Sequence, residues 1–131
     1  MEPDMTAPTP EAAVFQFLSG FGLTAYAATS TPADAEFPYL TYDLVVGDWD
    51  SGEVGMAVNL WYRTDSEKVP NSKVREIGRE IGRGGTLVKC DGGTLWIKKG
   101  SPWAQSLRVE GEDEKVKRRY LNVSIEYLIS E

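Results

Sequence analysis

The chain has 131 residues, 41% hydrophobic, 11% aromatic and 26% charged, which suits one globular domain with a single core and excludes a disordered chain. It has one cysteine and no histidine, which excludes an internal disulfide, a His-ligated zinc site and any Ser-His or Cys-His nucleophile pair. Net charge is −6 and sharply divided: residues 1–62 hold nine acids and no Lys or Arg, while residues 63–131 hold all 14 basic residues and 11 acids, giving halves of −9 and +3. Such halves either neutralise each other within one subunit or suit head-to-tail contact between copies.

Residues 1–8 read as a flexible, acidic, Pro-rich arm, and 9–131 as one domain. The arm lacks the basic start and apolar stretch of a secretory leader. No apolar run reaches the roughly 18 residues of a membrane span. The expectation is a chain made and kept in the cytosol, with no membrane partner. Thr9 suits a helix N-cap, with Pro10 at the first helical position and Glu11 near the positive end. Val14, Phe17 and Leu18 then share a stripe, and Gly20 is a stop.

"YAATSTPADAE" reads as an irregular connection. "PYLTYDLVVG" alternates, with Leu40, Tyr42, Leu44 and Val46 on one face. "DWDSGE" turns the chain, and "VGMAVNLWYR" alternates again through Met56, Val58, Leu60 and Tyr62. Pro70 and Asn71 introduce a second helix over residues 72–82, with Val74, Ile77 and Ile81 as its apolar stripe. Gly78 beside that stripe permits close approach to a sheet. "TLVKCDGGTLWIKK" is a hairpin turning at Asp91 and Gly92. "GSPWAQSLRVEGEDE" reads as a loop, and "KRRYLNVSIEYLIS" as a long strand with Leu121, Val123, Ile125, Tyr127 and Ile129 on one face. The predicted order is α-β-β-α-β-β-β. It is an α+β fold: an antiparallel or mixed sheet of about five strands, with two helices on one face.

Candidate chemical motifs resolve into structural ones. "GDWDSGE" carries Asp48 and Asp50 but lacks the glycine and glutamate spacing of a calcium loop, so it reads as an acidic turn. The glycines of "GRGGTLVKCDGG" follow a helix and precede a strand, the reverse of a phosphate-binding loop, and no GK[ST] occurs. "KVKRR" at residues 115–119 is the densest basic cluster, but it follows "EGEDE" in an acidic chain, so a charged strand entrance or a contact with an acidic neighbouring subunit is favoured over nucleic acid. No carboxylate pair stands out by spacing, and Cys90 has no histidine to activate it. No catalytic, cofactor or metal residue is expected.

Trp103 follows Pro102 in a polar stretch, where a large ring is costly to leave in water. Either the stiffened loop presents it to a partner, which is the expectation, or it folds back onto its own core.

"FGLTAYAATSTPADAEFPYLTYDL", "NLWYRTDS", "GGTLWIKKGSPWAQ" and "KRRYLNVSIEYLIS" resemble, in order and spacing, the tail terminator (tail completion) proteins of long-tailed bacteriophages and prophages. The resemblance covers roughly residues 20–130. It implies an α+β subunit and a hexameric ring at the head-proximal end of the virion tail. The ring caps the tail tube, stops its polymerisation and offers a surface to the head–tail connector. It implies no catalysis, no cofactor and no specific nucleic-acid binding, although DNA passes through the ring. Expected contact residues are Trp103, Pro102, Gln105, Trp61, Arg118, Arg119, Asp48 and Asp50. The alternatives are another neck or head-completion connector and a small non-catalytic adaptor.

Overall fold

The computed structural model describes residues 7–43, 49, 52–111 and 113–129. Helix α1 (Pro10–Ser19) starts as its sequence dictates: Ala12 N donates to Thr9 Oγ1 at 3.1 Å, and Pro10 sits where its missing N–H leaves nothing unpaired. It ends at Gly20, whose N–H donates to Phe17 O.

A short, unexpected strand, β1 (Thr24–Ala27), follows, its last two residues running into the stretch 26–36 expected to be irregular. It runs parallel to β2 (Tyr39–Tyr42), after a 3₁₀ turn at Ala28–Ser30. Its four residues are small or half-exposed, so no apolar alternation announces it; its partner β2 specifies it instead. β2 pairs antiparallel with β3 (Glu53–Arg63), placing Leu40 opposite Leu60 and Tyr42 opposite Val58, on the faces expected. Leu44 and Val46, expected to prolong β2, lie outside the described residues.

Helix α2 (Lys68–Ile81) begins one turn earlier than the sequence suggests. Pro70 falls in its first turn, where backbone N–H groups have no helical acceptor, so the ring is accommodated rather than acting as a boundary. Strand β4 (Thr86–Cys90) turns through Asp91 and Gly92 into β5 (Gly93–Leu107); Gly92 has φ +80°, a conformation that favours glycine. Strand β6 (Val116–Ile129) closes the order.

The sheet runs β1-β2-β3-β6-β5-β4 and is antiparallel apart from β1–β2. This is the α+β class the sequence predicts, with β1 as an added sixth strand. One expectation needs correction: "GSPWAQSL" is not loop but the second half of β5. Pairing breaks between Lys99 and Ala104, so residues 100–103 bulge opposite Asn122, and then resumes at Ala104–Leu121. Long β6 still offers unpaired backbone groups there, and β5 satisfies them. Asn122 Nδ2 donates to Pro102 O at 2.8 Å, which pins the bulge.

One contiguous core lies between the sheet and both helices. Met56, Val58, Leu60, Leu95, Ile97, Leu121, Val123 and Ile125 meet Val14, Leu18, Ile77 and Ile81. Tyr127, Phe17 and Val74, expected in this core, are half-buried at its margin. Among the described residues, no helix is long and apolar enough to cross a membrane.

Candidate functional site

Side chains alternate across a strand, so the residues between the core positions form the sheet's other face. Tyr39 lies opposite Trp61, and Trp61 opposite Arg118, making a row across β2, β3 and β6. The rings of Tyr39 and Trp61 are near parallel, 19° apart with centroids at 6.3 Å. The Arg118 guanidinium lies 5.2 Å from the Trp61 ring, a cation–π contact. Phe37 and Tyr26 flank Tyr39 at 5.3 and 5.9 Å.

Hydrogen bonds lock this row in place. Trp61 Nε1 donates to Thr41 Oγ1 at 2.9 Å, and Arg118 Nε donates to Asn59 Oδ1 at 2.7 Å. The long side chains therefore lie flat along the sheet. They cover Thr41 and Asn59, each only 7% exposed on the face opposite the two described helices. Burial, then the neighbouring Tyr26, pushes the Tyr39 hydroxyl above its ordinary range, so it stays neutral. The row thus offers stacked rings, a neutral hydroxyl and one permanent cation.

Further along the face, Lys98 Nζ lies 4.1 Å from the Trp96 ring and pairs with Glu53 and, at 3.7 Å, with Glu126. The hydrogen bond from Lys98, helped by one from Ser124, holds the Glu53 carboxyl below its usual range. Trp96 Nε1 donates to Gly84 O at 2.9 Å.

The residues expected to make contacts divide between two surfaces. Trp61 and Arg118 come together in the row, and exposed Gln105 lies beside it, opposite Tyr120. Pro102 and Trp103 are on the bulge. Pro102 is exposed, but the Trp103 indole packs back against α2 at Gly78 and is half-buried. Arg119 is not a surface residue: at 4% exposure it points to the helix side. Its Nε donates to Asn71 Oδ1 at 2.9 Å, and its Nη2 donates to Glu67. The reason is strand alternation, which sends neighbours 118 and 119 to opposite faces. Arg119 ties β6 to the start of α2. Asp48 and Asp50 lie outside the described residues. Tyr39, Tyr26 and Phe37 were not anticipated, although the alternation of Phe37 and Tyr39 places both rings opposite the Leu40 face.

Among the described residues, no group of three or more His, Cys, Asp or Glu could hold a metal, and no buried side-chain nitrogen or oxygen lacks a partner. Cys90 is buried; burial, then Asp91 and Glu11, pushes its thiol up, away from the reactive thiolate. The arrangement is suited to recognition by stacking, hydrogen bonding and charge. No family model matches the chain, and neither does any curated protein or solved structure.

Proposed function

We propose that this chain is a structural virion protein of a long-tailed phage or prophage, similar to the tail terminators. Six copies form a ring that caps the head-proximal end of the tail tube, stops its polymerisation and offers a head-joining surface. The observation that carries this reading is the Tyr39–Trp61–Arg118 row. Tyr, Trp and Arg are the residue types that concentrate binding energy at protein interfaces. Here they are fixed before any partner arrives, so little ordering entropy is lost on contact. The segments that resemble tail terminators in order and spacing support the same reading, and the α+β class is the one that resemblance implies.

With a net charge of −6 per copy, a ring repels phosphates and lets DNA pass without adhering. The role needs no cofactor and no catalytic group. Negative-stain microscopy and native mass spectrometry of the purified chain, alone and mixed with tail tubes, test it. Six-membered rings and tubes capped at one end are expected. A strict monomer under both conditions would overturn the reading.

A further inference from the structure

Helix α2 has three unlike sides. Ile77 and Ile81 enter the core, while Glu76 and Glu80 line a cleft with Phe17 and Phe21 of the α1 end. The third side carries Arg75 and Arg79, with Arg83 just beyond the helix end, spaced four apart. Lys99 of β5 faces them, and Trp103 resting on Gly78 forms the floor. Together they line an open groove of about 580 Å³. All four cations are exposed, and none of their side chains makes an ion pair or hydrogen bond with a described residue. Like charges four apart on a helix repel, and no ion pair within the described residues offsets this for Arg75 and Arg79.

The described acids of the other half are also short of cationic partners. Of its described acids, Glu53 alone makes an ion pair among the described residues. Asp34 and Glu36 are exposed and unpaired in the loop of residues 31–38, and Phe37 beside them is 39% exposed. That loop leads into β2, near one edge of the sheet, whereas the groove lies beside β5, near the other. Complementary patches at opposite edges of one subunit are placed so that two copies can satisfy them. Such heterologous contacts repeat head to tail and close into a ring where the rotation allows.

We propose that the Arg75–Arg79–Arg83–Lys99 groove over Trp103 receives the acidic loop 31–38 of a second copy, with Asp34 and Glu36 against the arginines and Phe37 against the indole. This rests on the ring reading and names the surfaces that would build it.

The test is sedimentation velocity on wild type, Arg79→Glu, Glu36→Arg and the double variant, at low and high salt. Each single variant should weaken self-association about tenfold or more, since like charges then meet across the contact. The double variant, with the charges exchanged, should restore it, and wild-type association should weaken with salt. Arg83→Glu repeats the test should Arg79→Glu fail to fold, as judged by circular dichroism. Rings that persist unchanged in both single variants would overturn the groove assignment and leave the ring reading standing. Loss in both without rescue in the double variant would overturn the pairing. A wild type that stays monomeric at every concentration, with and without tubes, would overturn both readings. Binding of a short DNA duplex that depends on Arg79, with assembly unaffected, would give the groove to nucleic acid instead.

Discussion

The indole of Trp103 lies so close to Gly78 that a methyl group at position 78 would come within 3.1 Å of Nε1. A bulge of β5 and the middle of α2 therefore share one tight contact. A side chain larger than methyl cannot enter without expelling the ring. Gly78→Leu should cost about 1–3 kcal/mol, as overpacking does, and should shift Trp fluorescence to the red. In a Trp103→Ala background the same substitution should be nearly neutral, giving a coupling above about 1 kcal/mol in urea titrations. Additive effects would show that the two residues do not meet.

Register in β6 can be tested with adjacent residues. Ile125 is 1% exposed in the core, whereas Ser124 lies on the other face and donates to Glu53 Oε1 at 2.9 Å. Ile125→Ala should lower stability by about 2–5 kcal/mol. Ser124→Ala should cost about 1 kcal/mol or less, because its hydrogen bond is exposed to water. Similar losses in chemical denaturation would place β6 one residue out of register.

Glu67 and Asn71 hold Arg119 from the helix side. Removing the carboxylate leaves a buried guanidinium with fewer partners. Glu67→Ala should cost about 1–3 kcal/mol despite the exposure of Glu67 itself. Asp65→Ala, beside a loose 3.8 Å pair with Lys115, should change stability by no more than about 0.5 kcal/mol. Equal thermal midpoints for the two variants would refute the tie that Arg119 makes between β6 and α2.

Acid should weaken the fold through two carboxylates. The Asp113 carboxyl is held below its usual range by Arg63, which donates to it at 2.8 Å, and by the Lys115 backbone N–H; Glu53 is lowered chiefly by Lys98. A carboxyl lowered in the folded state binds its proton more readily when unfolded. Its contribution is present above the unfolded pKa, about 4 for these groups, and is lost as pH falls through the lower folded value. Asp113→Asn combined with Glu53→Gln should flatten the fall in thermal midpoint below about pH 4. An unchanged acid slope would show that neither group is linked to folding.

The features legible in the sequence were local. The Thr9–Pro10 start of α1 and the alternation of β3 and β6 depend on residues a few positions apart. They therefore emerged with the correct faces. β1 was hidden because its four small or half-exposed residues carry no pattern of their own. The second half of β5 was hidden because Gly100, Ser101 and Pro102 imitate a loop, and only the long partner β6 restores the pairing. The Trp61–Arg118 contact joins residues 57 positions apart, in strands separated by a helix and a hairpin. Alternation alone would have separated Arg118 from Arg119. Naming Trp61 as the partner of Arg118 required the β3–β6 register, which no local signal contains.

The place of β6 in the sheet has a consequence for synthesis. The strand made last among the described elements lies at the centre, between β3 and β5. Until β6 has left the ribosome, β1–β3 and β4–β5 are two pieces of sheet with no strand to join them. Their apolar sides must wait for residues 116–129. Such a chain gains its core in one late step, dominated by distant pairings, and is expected to fold in milliseconds to seconds after that strand emerges, not progressively during translation.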